Sequence, residues 1–130
     1  MSVDSIADFL TIIRNGTMVA KPFVLGSYSK MRLAIAEILR QEGFVRDMQV
    51  EELEGKKVIK VYLQYIDGES VIHEIKRISK PGRRVYSNID NIRPVIGKLG
   101  ISILSTNQGV VSHLQAKKQG VGGEVLCTVW

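Results

Sequence analysis

A chain of 130 residues with 45% hydrophobic and 24% charged side chains has an ordinary globular composition and enough length for a self-supporting core. That excludes a disordered chain and a collagen-like fibre, and the single cysteine, Cys127, excludes a disulfide scaffold. A net charge of +5 points either to a polyanion partner or to a surface kept basic for solubility.

The apolar spacing of Ile6, Phe9, Leu10 and Ile13 predicts a helix over residues 4–15, with Asp4 as N-cap and Asn15-Gly16 as stop. Residues 17–27 lack a period and contain Pro22 and Gly26, which predicts a loop. Ser29 can cap a second helix with a buried stripe of Met31, Ile35, Ile38 and Leu39, ended by Gly43. Arg32, Glu37, Arg40 and Gln41 fall mainly on its other face. Strands are predicted over residues 44–51, 57–65 and 71–78. In the second, Ile59, Val61, Leu63 and Tyr65 alternate with Val58, Lys60, Tyr62 and Gln64. Asp67-Gly68 is a hairpin signal before the third.

Lys80-Pro81-Gly82 breaks the chain, which places a lobe boundary between residues 78 and 79. Residues 83–86 read as short and extended, and Asp90 as the cap of a short helix carrying Ile92, Val95, Ile96 and Leu99. Strands over 101–104 and 109–112 flank a polar turn, Ser105 to Gln108. A helical turn around 114–118 leads through Gly120, Gly122 and Gly123 into a last strand, 124–130. The predicted class is α+β and two-lobed. A lobe of two helices and a three-stranded sheet, residues 1–78, packs on a mainly β lobe, residues 79–130.

The charge is unevenly placed. Residues 1–75 hold nine Lys or Arg against eleven Asp or Glu, whereas residues 76–130 hold nine against only Asp90 and Glu124, a balance of +7. A basic second half suits a nucleic acid. The longest stretch without a charge, residues 99–116, contains Ser102, Ser105, Thr106, Asn107, Gln108, Ser112 and His113, which disqualifies it as a membrane span. Asp4 and Asp8 stand where a secretory signal would carry Lys or Arg, so a cytoplasmic protein is expected.

No constellation for catalysis emerges. His73 is placed in a strand with no Cys or His neighbour, which leaves no metal site. Cys127, among Val125, Leu126 and Val129, reads as core. Glu51, Glu52 and Glu54 precede Gly55-Lys56-Lys57 and read as a solvated hairpin connection. No enzyme activity, catalytic residue, metal, cofactor or small-molecule substrate is expected. Gly120-Val121-Gly122-Gly123 lacks both the Lys-Ser/Thr of a Walker loop and the strand-to-helix context of a dinucleotide loop. Those glycines serve positive dihedrals or close approach to another backbone, protein or RNA.

The segment Ser105-Thr106-Asn107-Gln108-Gly109 is either an ordinary polar turn or a set of donors and acceptors for a shape-defined RNA. Tyr86, beside Arg84, can stack on a base or pack in the fold. Glu124 can accept from a base amino group or brace a neighbouring loop, and Lys117 can touch phosphate at the rim.

Over its whole length the chain resembles the family of the eighth protein of the bacterial small ribosomal subunit. Three stretches carry the resemblance. They are Asp4-Ser5-Ile6-Ala7-Asp8-Phe9-Leu10-Thr11-Ile12-Ile13-Arg14-Asn15-Gly16, then Ser29-Lys30 with the helix through Glu42-Gly43-Phe44, and the run from Ser105-Thr106 through Gly109 to Gly120-Val121-Gly122-Gly123-Glu124. Tyr86, after Pro81-Gly82 and Arg84, sits where the family has its aromatic. The family tail usually reads Ser-Thr-Ser-Lys-Gly, whereas Asn107 and Gln108 stand here in place of the second Ser and the Lys. Ser112-His113 stands in place of Thr-Asp.

The resemblance implies a cytoplasmic, ribosome-bound protein that binds the central domain of small-subunit rRNA, sits among neighbouring small-subunit ribosomal proteins and supports assembly. It also implies the option of repression through the protein's own mRNA. A free RNA-binding regulator on a similar fold is the alternative. The RNA-binding residues expected are Ser29, Lys30, Arg84, Tyr86, Ser105, Thr106, Asn107, Gln108, Gly109, Lys117, Gly122, Gly123 and Glu124, with Asp4, Arg14 and Asn15 as a second tier.

Overall fold

The computed structural model describes residues 4–88 and 100–130, so the helix expected to begin at Asp90 lies outside the described residues. The chain divides into two compact units. One is Ile6–His73; the other joins residues up to Ser5 with Glu74–Trp130.

In the first unit, helix α1 (Ser5–Met18) is followed by strand β1 (Phe23–Ser27), helix α2 (Lys30–Gln41) and the hairpin β2 (Val45–Leu53) and β3 (Lys56–Leu63). The three strands form an antiparallel sheet in the order β1-β3-β2. A two-residue hairpin, β4 (Tyr65–Ile66) and β5 (Glu69–Ser70), follows. It turns at Asp67 and Gly68, both with positive φ, as that dipeptide demands. Phe9, Leu10 and Ile13 from α1, Ile35 and Leu39 from α2, and Ile59 and Val61 from β3 are fully buried and form the core.

Three expectations for this unit need correction. The helix does not stop at Asn15-Gly16. It continues to Met18, because Gly16 is where α1 meets the sheet: a Cβ there would lie 2.4 Å from Val24 Cγ1. Residues 23–27 are not loop but strand β1, the third strand of this sheet. Its Gly26 lies under the Phe9 ring, where a Cβ would be 2.8 Å from Cδ1. The glycine that lowered the strand signal is therefore a close-packing device. Arg32 is not on the solvent face of α2. It is buried, donates from Nη1 to Ser27 O at 3.0 Å and holds its guanidinium 6.0 Å from the Phe9 ring centroid. Ser29 caps α2 as expected, accepting from Arg32 N–H at 3.1 Å.

The second unit is built on β10 (Gly123–Val129). Strand β8 (Ile101–Thr106) pairs along one side, and β9 (Gly109–Ser112) lies outside it. On the other side β10 pairs with β6 (Ile75–Arg77) through Cys127–Val129 and with β7 (Tyr86–Ser87) through Gly123–Glu124. All these pairings are antiparallel. Residues 71–78 thus do not supply a strand of the first sheet. Only 75–77 are extended; they pair with β10, and His73 is exposed outside any strand. The alternation of buried Ile75, exposed Lys76 and buried Arg77 looks the same for either sheet, so the pattern could not say which partner would cover it. The units accordingly part at His73 and Glu74, not at residues 78 and 79.

Helix α3 (His113–Gln119) is capped by Ser112, which accepts from Gln115 N–H at 3.2 Å, and ends at Gly120 with φ +71. Leu104 and Ala116 are its buried contact with the sheet, joined by Val111, Val121 and Val125. His113 is 4% exposed, and its Nδ1 accepts from Ser102 N–H at 3.1 Å, so this departure from the family pattern is a core residue. Cys127 is fully buried, and desolvation pushes its thiol up to about 12. No helix among the described residues is long and apolar enough to cross a membrane.

Candidate nucleic-acid interface

The start of β10 brings the separate sequence candidates together. Glu124 lies opposite Tyr86 on β7 and opposite Ser105 on β8. Directly opposed residues of an antiparallel pair share a face, so Tyr86, Glu124 and Ser105 form a row across three strands. An open cleft of about 440 Å³ is lined by these three with Thr106, Asn107, Val121, Gly122 and Gly123.

Two glycines make this geometry achievable. A Cβ on Gly122 would lie 2.4 Å from Ser87 O, and one on Gly123 would lie 2.2 Å from Ser105 O. Strand β10 therefore enters between β7 and β8 at a spacing that admits only hydrogen at those positions. Gly120 serves the other glycine role, a left-handed helix end.

Within the cleft the side chains have separate duties. The Thr106 hydroxyl donates to Gly109 O at 2.8 Å and accepts from Gln108 N–H at 3.1 Å, so it builds the turn. The Ser105 hydroxyl makes no hydrogen bond among the described residues, and Asn107 and Gln108 are exposed. Tyr86 is 70% exposed, which corrects the packing role weighed for it. A phenol presented this way offers a stacking face and a donor.

Glu124 is fixed through one oxygen. Its Oε2 accepts from Ser79 Oγ at 2.5 Å and from Arg84 Nη1 at 2.9 Å, while Oε1 takes no hydrogen bond from the described residues. Burial raises the carboxyl's pKa, but the bonds from Ser79 and Arg84 and the charges of Arg84 and Arg77 outweigh it, and the net value falls below the ordinary range. The carboxyl titrates lower folded than unfolded. Its stabilising contribution is thus complete above the ordinary glutamate range and is lost as pH falls through the lowered value. The Glu124 carboxyl resonance should show a midpoint below that of an exposed glutamate, and the Val85 amide should move with it. A midpoint at or above the ordinary value would dissolve the brace. Ser79, fully buried, and Arg77 are participants that the sequence did not reveal. Their signal was a lone carboxylate in a basic tail, which requires donors from somewhere.

The remaining candidates stand elsewhere. Gln108 and Gly109 lie at the β8–β9 turn, and Lys117 is exposed on α3. Arg84 touches the cleft through Glu124. Arg14, Asn15, Ser29 and Lys30 belong to the first unit, where Ser29 is the cap of α2. Asp4 is tied to Arg77, whose Nε donates to its carboxylate at 3.1 Å.

A family model described as Ribosomal protein S8 matches residues 4–130. The chain belongs to the ribosomal protein S8 family. It is 49% identical to the Small ribosomal subunit protein uS8 of Chlamydia pneumoniae over 131 residues, covering 100% of this chain and 98% of that one. It is 47% identical to the uS8 of Rhodopirellula baltica over 132 residues, 99% of each chain. It is 48% identical to the Small ribosomal subunit protein uS8c of Phaeodactylum tricornutum over 129 residues, 98% of each. S8 proteins are structural proteins of the ribosome and not enzymes, and the mixed α+β architecture described above agrees with the S8 fold.

Proposed function

We propose that this chain is a structural constituent of the small ribosomal subunit that binds the central domain of small-subunit rRNA directly and supports assembly in the cytoplasm. The observation that carries it is the row of Tyr86, Glu124 and Ser105, assembled from three strands at an open polar cleft. Hydroxyl, amide, phenol and carboxylate groups lining an open cleft on a glycine-built surface match RNA read by shape, 2′-hydroxyls and base edges. In this reading the second unit is the RNA-binding lobe, and Ser29, Lys30, Arg14 and Asn15 give the first unit a further contact. Neighbouring small-subunit proteins are its other partners, and repression through its own mRNA would use the same cleft.

Footprinting on naked small-subunit RNA is the direct test, with protection confined to the central domain as the expected result. Ser105→Ala should leave stability within about 0.5 kcal/mol, because the hydroxyl makes no hydrogen bond among the described residues. It should weaken RNA binding by about 1–3 kcal/mol if that hydroxyl meets RNA. Wild-type affinity in the Ser105 variant would remove the cleft from the interface. Failure to co-sediment with small subunits would favour a free regulator.

A further inference from the structure

Beside the cleft the chain leaves β10 and returns to it at the same residue. Ser79 N–H donates to Val125 O at 3.1 Å, and Val125 N–H donates to Val85 O at 2.9 Å. The Ser79 hydroxyl accepts from Val85 N–H at 3.2 Å and closes the neck of the excursion. At its tip Lys80 and Arg83 exchange both backbone bonds, each 2.9 Å, around Pro81-Gly82. A loop closed at neck and tip fixes the backbone from which its side chains project.

Three of its five residues are cations: Lys80, Arg83 and Arg84. Arg84 is occupied by Glu124. Lys80 and Arg83 are exposed and form no ion pair among the described residues. The returning strand carries Tyr86 into the cleft three residues after Arg83. We infer that residues 80–84 form a second RNA contact, in which Lys80 and Arg83 grip phosphates of the strand whose bases and sugars meet the cleft. Ser79 is the positioning residue for both contacts, since one hydroxyl holds the loop neck and the Glu124 carboxylate. This division follows the usual one, in which phosphate contacts set register and cleft contacts give selectivity. It rests on the RNA-binding function proposed above.

The test is the salt dependence of binding to a central-domain RNA fragment and to an unrelated RNA duplex, using the full chain. Each phosphate contact contributes nearly one unit to the slope of log affinity against log salt, so Lys80→Ala with Arg83→Ala should reduce the slope by about two. Between about 50 and 200 mM salt, the loss of affinity should then be roughly tenfold smaller than for the wild type. Affinity for both RNAs should fall together, the cleft footprint should persist, and the melting temperature should not move. Lys80→Arg with Arg83→Lys should restore the slope. An unchanged slope in the folded double alanine variant would overturn the inference. So would loss of the cleft footprint at an intact slope, which would make the loop structural only. If the wild type itself does not prefer the central-domain fragment over the duplex, the proposed function fails first and the inference falls with it.

Discussion

Gly123→Ala is expected to destabilise the second unit by about 1–3 kcal/mol and to weaken RNA binding by roughly tenfold or more. A methyl group at this position meets Ser105 O at 2.2 Å and Ser105 C at 3.0 Å, and backbone atoms in a paired strand cannot rotate away as a side chain would. The β8–β10 pairing must open, and Ser105 and Glu124 are opposed in that pairing. The variant therefore separates the cleft's polar row as well as straining the sheet. Gly120→Ala is the control. Its methyl group meets nothing within 4 Å, so only the left-handed backbone, φ +71, is strained, at about 1 kcal/mol. Urea unfolding and gel shifts on both variants distinguish the two effects. Lost stability in both with weakened binding in Gly123→Ala alone is the expected pattern. Equal binding by the two would mean that the spacing of β8 and β10 does not matter to RNA.

Most of the local structure was legible because its causes are local. The Ser29 cap, the stripe through Ile35 and Leu39, the alternation along β3 and the Asp67-Gly68 turn each depend on residues within a few positions of one another. The glycine cluster was legible as a need for close approach, although not as to which backbone approached. What the sequence concealed was non-local. Strand β1 carries Pro22 at its threshold and Gly26 as its fourth residue, and the Phe9 ring above Gly26 explains why a glycine sits in a strand. The partner of β6 was hidden because alternation fixes a face and not a neighbour. In the polar segment the Thr106 hydroxyl performs ordinary turn chemistry, while Ser105, Thr106 and Asn107 all line the cleft, so the turn reading holds for the Thr106 hydroxyl.

The same distinction between structural and RNA-facing polar groups bears on Asp4, expected from the family resemblance to touch RNA. Its carboxylate accepts from Arg77 Nε at 3.1 Å, and Arg77 Nη1 donates to Leu126 O at 2.7 Å. The two side chains are 20% and 7% exposed, so the pair is largely desolvated. Removing one partner from such a pair leaves the other charge buried and costs more than a surface bridge would return. Arg77→Ala should lose about 3 kcal/mol of stability, because it takes the guanidinium from the Asp4 carboxylate and leaves the Leu126 carbonyl, at the bulge beside Val125 and Cys127, with only its bond from Ile78 N–H. Asp4→Asn keeps an acceptor for Arg77 but no charge, and should lose about 1–2 kcal/mol. Asp4→Asn leaves every hydrogen bond of Glu124 in place, so its RNA affinity, measured where the variant is folded, should match the wild type. Chemical denaturation gives the first quantity and filter binding the second. An Asp4→Asn chain of unchanged stability and weakened RNA binding would return Asp4 to the interface and leave Arg77 without its structural role.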